Sequence, residues 1–149
     1  RKIITVHWLQ VSCLALIMLM QFIQIIPGKT DVANCVYMNE GIVVKSHAGQ
    51  KYTSDAISIA IFKDICKRAG VPVQFFANRS DEAGGSTLGN IAMAQVSMNS
   101  VDIGLPQLGM HSTYETAGVK DTYYMIKAVE EFYNSHISEI SHDVLKVSK

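Results

Sequence analysis

The stretch VPVQFFANRSDEAGGSTLGNIAMAQVSMNSVDIGLP, residues 71–106, places a glycine-rich loop and a helix-like segment between two apolar runs. VPVQFFAN (71–78) is rich in valine and phenylalanine, which predicts a strand, and VDIGLP (101–106) predicts the next strand. TLGNIAMAQVS (87–97) predicts a short helix between them. Strands that alternate with helices favour an α/β fold, with a mostly parallel sheet and helices on its faces.

Two further helices are expected on either side of this unit. The first is predicted to begin at Ser54, a favoured N-cap residue, and to end at Gly70, a favoured C-cap residue. Its inward face has helical spacing and comprises Ile59, Phe62, Ile65, Cys66 and Ala69. The second runs from about residue 120 to 134, and its predicted inward face comprises Ile126, Val129, Phe132 and Tyr133. Ser112 and Glu115 have capping-box spacing, which predicts that each side chain bonds the other residue's backbone N–H.

Two short strands are predicted before the first helix, GIVVKSH (41–47) and GQKYTS (49–54). In sheets of this class, ligands gather at the carboxyl ends of the strands. The loops after Asn78 and after Pro106 are therefore expected to lie together at the functional edge of the sheet.

The composition argues against several functional classes. The 149 residues carry 13 basic and 13 acidic side chains, and no basic stripe with interleaved aromatic residues marks a nucleic-acid groove. The three cysteines lack CxxC spacing, which disfavours both a disulfide framework and a cysteine zinc site. We expect a protein of the reducing cytoplasm that binds no nucleic acid.

The glycine-rich loop has two interpretations. Gly84 to Gly89 matches the six-residue frame of a phosphate-binding loop between a strand and a helix. Asn90 and Ile91, however, stand where such a loop needs a lysine and a serine or threonine, so the charge that holds phosphate is missing. A loop whose glycines allow close approach of the backbone is the favoured interpretation.

His111 is the candidate metal ligand because it lies just past the end of a predicted strand and neutral imidazole is a common ligand of zinc. The alternative is a histidine that only makes hydrogen bonds. Glu115, four residues on, could share a helical face with His111, although the capping box also explains it. The acidic pairs Asp81–Glu82 and Glu130–Glu131 are interpreted as solvated surface.

Three segments occur in the order YMNEGIVVKSHAGQKYTSDA (37–56), FFANRSDEAGGSTLGN (75–90) and VDIGLPQLGMHSTYETAG (101–118). Together they resemble the aspartyl aminopeptidase-like metallopeptidases of the yeast vacuolar aminopeptidase I type, from about residue 28 to residue 137. The resemblance implies the C-terminal part of a di-zinc exopeptidase catalytic domain. In that family, two zinc ions and a glutamate base activate the water that releases the N-terminal residue of a peptide.

For individual residues, the resemblance implies that His111 of the MHS motif is a zinc ligand and that Lys45 and Tyr52 line the substrate pocket. It implies no catalytic residue here, two zinc ions per active site, a peptide substrate and a homo-oligomer. The family's other ligands have no counterpart: an upstream histidine, a bridging aspartate, a glutamate of a Glu-Glu pair and an aspartate of a SADxAHAxHPN segment. Glu130–Glu131 follows His111 and so cannot be that pair. With one ligand of about five, the isolated chain is expected to be an inactive fragment.

Residues 1–27 are apolar and are interpreted as separate from residues 28–149, the aminopeptidase-like part. One permitted back-translation of residues 2–26, read one base earlier, encodes EDYYRALASSIMLSSDNAHAIHPNH. This ends in the family-like SSDNAHAIHPNH immediately before PGKTD, so we expect a non-native, out-of-frame segment and no membrane association. The alternative is a small membrane-anchored or exported α/β binding module without catalysis, anchored by Cys13 to Ile26. That anchor has about 14 apolar-rich residues, fewer than the roughly 20 of a spanning helix.

Overall fold

The fold follows the predicted alternation of strands and helices. The computed structural model describes residues 12–16, 19–20, 31–81, 85, 87–96, 98–141 and 144–148. The strands are β1 (Ser12–Leu16), β2 (Leu19–Met20), β3 (Ile42–Ser46), β4 (Val73–Ala77), β5 (Asn99–Gly104), β6 (Pro106–Leu108), β7 (Thr116–Ala117), β8 (His136–Ser141) and β9 (Val144–Ser148). The helices are α1 (Ala56–Ala69), α2 (Leu88–Gln95) and α3 (Val119–Tyr133), with a short 3-10 helix at Val32–Asn34.

The main sheet has four strands in the order β1-β5-β3-β4. β1 pairs with β5 and β3 with β4 in parallel, whereas β3 and β5 are antiparallel, with Val44 opposite Ile103. The α/β class with flanking helices is confirmed, and two of the three strand pairings in this sheet are parallel. β5 is antiparallel to β3 and therefore to β4 as well, so the C-terminal ends of β4 and β5 lie at opposite ends of the sheet. The expectation that the loops after Asn78 and Pro106 share one edge was therefore wrong.

The two faces of the sheet bury different chemistry. On one face the sheet packs against α1 and α3, and the core there includes Ile42, Val44, Ile103, Phe62, Cys66, Met125 and Ala128. Successive residues of a strand point to opposite faces, so the neighbours of these positions lie on the other side. There Val43 and Phe76 belong to a smaller apolar cluster, and Lys45 and Asp102 are also buried.

The ends of α1 are set by one acidic residue and one glycine. Asp55, and not the predicted Ser54, is the N-cap, because its carboxylate accepts a hydrogen bond from the Ser58 backbone N–H at 2.7 Å. Ser54 Oγ instead accepts from the Asp102 backbone N–H at 2.9 Å. Gly70 ends the helix with φ of 65°, a left-handed conformation that glycine adopts without steric cost. The predicted inward face is confirmed at Phe62, Ile65 and Cys66, which are buried.

The predicted phase of α3 was wrong, although its ends lie within a residue of the prediction. Ile126 and Tyr133 are 60% and 79% exposed, whereas Met125 and Ala128 are buried. Apolar residues occupy both sides of this helix, so hydrophobic spacing alone does not select the buried side. Asp121, in its first turn, is buried and accepts from the backbone N–H of Asn39 and Gly41.

Two other local predictions were also wrong. The segment GQKYTS forms no strand, since residues 50–55 are a loop that leads into α1. Ser112 and Glu115 do not form a capping box: Glu115 accepts from the His111 backbone N–H, and Ser112 Oγ donates to the Tyr114 carbonyl. The capping box fails because residues 110–115 form a turn and α3 begins only at Val119, after Gly118.

Beyond α3, β8 and β9 pair as an antiparallel hairpin that the sequence did not predict. Arg68 of α1 donates to the Val147 carbonyl at 2.8 Å and so ties this hairpin to the helix.

Within the ranges described above, no helix combines the length and the apolar character needed to cross a membrane. The alternative anchor, Cys13 to Ile26, falls largely outside the described residues, which include only β1 and β2 from this part of the chain.

Candidate functional site

The structure brings together the two residues predicted to line a substrate pocket. Lys45 of β3 is only 3% exposed, and its Nζ lies 5.3 Å from the centroid of the Tyr52 ring. This is the distance of a cation–π contact. The Tyr52 hydroxyl donates to Asn78 Oδ1 at 3.2 Å, and the ring of His47 meets the Tyr52 ring edge-on at 5.9 Å between centroids. The tyrosine is thus held between β3 and the end of β4.

The charge of this cluster depends on burial and on one carboxylate. Burial lowers the pKa of Lys45 to about 8, because the ammonium loses its hydration, while the charge of Asp102 opposes that shift. Burial also raises the pKa of Tyr52, and the charge of Asp102 raises it further. The amine of Lys45 therefore titrates much closer to neutral pH than that of an exposed lysine.

Asp102, on β5, is fully buried and connects three segments of the chain. Its Oδ2 accepts from the Thr53 backbone N–H at 2.9 Å, from Thr53 Oγ1 at 3.3 Å and from Thr87 Oγ1 at 2.9 Å. Thr53 Oγ1 also lies 2.9 Å from Ser100 Oγ. The carboxylate therefore holds the loop before α1 and the start of α2 against β5.

Sequence reasoning missed Asp102 and its partners, although one signal was present. Asp102 is the only charged residue in the apolar run VDIGLP, which was predicted to be a strand. An acidic side chain in a buried strand is rarely tolerated without partners. The partners, Thr53 and Thr87, lie on separate segments, and no sequence spacing could identify them.

The glycine loop approaches the same cluster. A Cβ atom on Gly89 would lie 2.8 Å from Thr53 Oγ1, so the close backbone approach expected of these glycines is confirmed at this position. Asn90, which stands in the place of the phosphate-loop lysine, donates to the Lys51 carbonyl at 2.6 Å. Gly89 and Asn90 therefore help to pack α2 against the loop before α1. Gly84 and its neighbours 82–83 lie outside the described residues.

His111 lies apart from Lys45 and Tyr52. It is exposed in the turn after β6, with a positive φ of 66°, and its backbone N–H donates to Glu115 Oε1 at 2.6 Å. Within the described chain, no hydrogen bond, ion pair or ring contact joins His111 to either of the other two residues. The His111 side chain is exposed.

The described residues do not by themselves fit a zinc site. No three histidine, cysteine or acidic side chains among them lie close enough to hold a metal ion. Asp81 pairs with Arg79 at 2.6 Å on the surface, and this hydrogen bond lowers the pKa of Asp81. Glu130 is exposed, as predicted for a solvated side chain, whereas its neighbour Glu131 is half-buried, against the prediction. Glu82 lies outside the described residues.

Comparison with known proteins identifies one family. Its sequence model, described as aminopeptidase I zinc metalloprotease (M18), matches residues 26–133. The probable M18 family aminopeptidase 2 of Clostridium acetobutylicum is 50% identical over 106 residues, which are 71% of this chain and 24% of that protein. The present chain therefore spans about a quarter of the length of such relatives.

Solved structures share the fold. The cryo-EM structure of the Ape4 and Nbr1 complex matches with a TM-score of 0.81 and 30% identity, over 85% of this chain and 24% of that chain. The mApe1 dodecamer of S. cerevisiae matches with a TM-score of 0.74 and 22% identity, over 85% of this chain and 27% of that chain.

Proposed function

Because the chain belongs to the aminopeptidase I (M18) family of zinc metalloproteases, we propose that it is the C-terminal part of a zinc aminopeptidase that hydrolyses N-terminal residues from peptides. The observation that carries the proposal is the match over residues 26–133, together with 50% identity to a bacterial M18 aminopeptidase. The parent enzyme is proposed to be cytoplasmic, to hold two zinc ions per active site and to assemble from identical subunits. The dodecamer of the S. cerevisiae relative supports the last point.

His111 is proposed as a zinc ligand of the parent enzyme. Its exposed imidazole, held in a turn with a positive φ, supports this role. Zinc sites need three or four protein ligands in fixed geometry, and the described part of this chain offers no such group. We therefore propose that the isolated chain is inactive and binds zinc weakly. Calorimetric titration is expected to show no saturable zinc site in the low micromolar range, and a stoichiometric, tight isotherm would overturn this part of the proposal.

Lys45 and Tyr52 are proposed to line the substrate pocket of the parent enzyme. The buried ammonium of Lys45 lies 5.3 Å from the centroid of the half-buried Tyr52 ring, near the end of β3. The Tyr52 ring, with this charge beneath it, can bind a polar or charged group of a peptide and hold it in a fixed orientation. The part of the pocket nearest the metal would come from segments outside this chain.

Residues 1–27 are proposed to be an out-of-frame reading, with residues 28–149 as the native aminopeptidase part. Leu16 pairs with Ile103 in parallel, so the chain that leaves β1 and the chain that leads from β5 to His111 exit the sheet at the same edge. In the shifted reading, an aspartate of the family-like segment stands in the place of residue 17. The observation that supports the frame proposal is that the shifted reading places a family-like segment immediately before PGKTD. An anchored or exported binding module without catalysis is the competing proposal.

The gene decides between these proposals. Resequencing across the codons for residues 1–29 and their upstream flank is expected to reveal one extra base near Pro27 and family-like sequence upstream. The frame-restored, full-length enzyme is then expected to release N-terminal residues from free peptides, but not from matched N-acetylated peptides, and to lose this activity with a chelator. An intact frame without family-like upstream sequence would contradict the aminopeptidase proposal and favour the binding module.

A further inference from the structure

The buried face of the sheet beneath Tyr52 contains one cation and one carboxylate. β3 and β5 are antiparallel with Val44 opposite Ile103, so one further step along each strand brings Lys45 opposite Asp102. Residues directly opposite each other in such a pair project from the same face of the sheet. Both side chains are buried, Lys45 at 3% and Asp102 at 0% exposure.

The two oxygens of the Asp102 carboxylate have different surroundings. Oδ2 accepts all three hydrogen bonds from Thr53 and Thr87, with distances of 2.9 to 3.3 Å. Oδ1 is buried and has no hydrogen-bond partner among the described residues. A buried carboxylate oxygen without a donor is costly unless a nearby positive charge compensates it. On this face, Lys45 lies opposite Asp102 in the strand register, and the two act on each other through their charges and not through a direct ion pair among the described residues.

The other groups around Lys45 do not supply that interaction. On β3 itself, His47 Nδ1 accepts from the Gly49 backbone N–H at 2.9 Å, so this nitrogen is occupied by another partner. The Tyr52 ring provides its face at 5.3 Å, and β4 places the uncharged Phe76 beside Lys45. α2 begins at Thr87, which is also uncharged. Asp102 is thus the carboxylate that faces Lys45 within the described part of the chain.

From this arrangement we propose that Asp102 is a positioning residue that keeps Lys45 charged beneath the Tyr52 ring. Burial alone favours the neutral amine, and the opposing charge of Asp102 offsets that effect. Its hydrogen bonds to Thr53 also hold the residue next to Tyr52, so one carboxylate sets both the charge and the position of the pocket surface. The proposed effect of Asp102 on the charge of Lys45 does not depend on the proposed function. Its importance for substrate binding rests on the proposed substrate role of Lys45.

The test is an NMR titration of the lysine side chains in the full 149-residue chain, carrying lysine labelled at Cε and Nζ. Loss of one signal in Lys45→Arg assigns Lys45. The wild-type midpoint is expected near 8, and Asp102→Asn is expected to lower it by about one unit or more, because burial then acts unopposed. Asp121→Asn is the matched control. It neutralises an equally buried carboxylate that binds the backbone of Asn39 and Gly41, so it is expected to leave the Lys45 midpoint unchanged.

Two results would overturn the proposal. One is the same Lys45 midpoint in Asp102→Asn as in the wild type. The other, which needs no variant to fold, is a Lys45 amine that is already neutral at pH 7 in the wild type. The titration measures Lys45 without turnover, so it separates this inference from the proposed function. If Asp102→Asn shifts the midpoint but Lys45→Met leaves the kcat/KM of the frame-restored enzyme unchanged, the substrate role fails and the inference stands.

Discussion

At the scale of single residues, the buried Lys45 is expected to make the free energy of unfolding change with pH in the alkaline range. Its pKa is lowered from 10.5 to about 8, so between these values the unfolded chain binds a proton that the folded chain has released. The contribution of this group to the free energy of unfolding therefore rises with pH, by up to about 1.4 kcal/mol per unit. The rise ends near the unfolded pKa.

Lys45→Met is expected to remove that slope. Urea unfolding at pH 7, 8, 9 and 10 should show the wild type gaining stability relative to Lys45→Met above pH 8. The difference between the two proteins is the relevant quantity, because the pKa of Cys66, raised by burial to about 12, gives the opposite slope in both. Lys67→Met, which changes an exposed lysine of α1, should show no such trend. If the difference in the free energy of unfolding between wild type and Lys45→Met does not change with pH, the Lys45 amine is solvated and the prediction is wrong.

Tyr52 offers a second test at this scale, because its hydroxyl bonds Asn78 and its ring covers Lys45. In the frame-restored enzyme, Tyr52→Phe is expected to lower kcat/KM by about 1–3 kcal/mol of transition-state binding. Zinc content should not change, since this hydroxyl is not a proposed ligand. Tyr123→Phe, on the exposed side of α3, is the matched control and should behave as the wild type does. Equal kcat/KM values for Tyr52→Phe and Tyr123→Phe would contradict the proposal that Tyr52 lines the substrate pocket.

At the scale of elements, α3 distinguishes the structure from the pattern that first predicted it. Met125 is buried against α1 and the sheet, whereas Ile126 is 60% exposed. Met125→Ala is expected to cost about 2–5 kcal/mol of the free energy of unfolding, as buried large-to-small changes do. Ile126→Ala should cost less than about 1 kcal/mol. Chemical denaturation of both variants measures this, and the reverse order would restore the phase predicted from sequence.

The helices and strands differ in how well the sequence predicted them, for physical reasons. α1 was predicted because its apolar residues have helical spacing and because Gly70 ends it in a conformation that glycine favours, and β4 and β5 were predicted because each contains a short apolar run. The phase of α3 was ambiguous because apolar residues lie on both of its sides. The N-cap of α1 was misplaced by one residue because Ser54 and Asp55 are both favoured caps, and tertiary contact with Asp102 decides between them.

The candidate site could be predicted only in part from the sequence, for a related reason. Lys45 and Tyr52 were assigned through resemblance, and the structure shows that they are in contact. His111 was assigned both from its place past a predicted strand and through resemblance. The Asp102 network joins β5 to two separate loops, so no local spacing encodes it. The antiparallel pairing of β3 with β5 was not predicted either, because strand direction depends on which strands become neighbours in the folded sheet.

At the scale of the whole molecule, the chain spans about a quarter of the length of the aminopeptidase relatives that it matches. Its fold is that of larger family members, with a TM-score of 0.81 to a structure that it covers by 24%. The C-terminal end of β3, which carries Lys45, and that of β5, which precedes the segment that leads to His111, lie at opposite ends of the sheet, since β3 and β5 are antiparallel. A metal site that included His111 would need ligands from outside the described residues.

The most direct test of this account is zinc content measured beside kcat/KM in the frame-restored, full-length enzyme and its His111→Ala variant. We expect the variant to lose zinc and turnover together, because a ligand of the metal site has been removed. His136→Ala, an exposed histidine of β8 outside the family match, is the control and should retain both. Full zinc occupancy with near-normal turnover in His111→Ala would contradict the account.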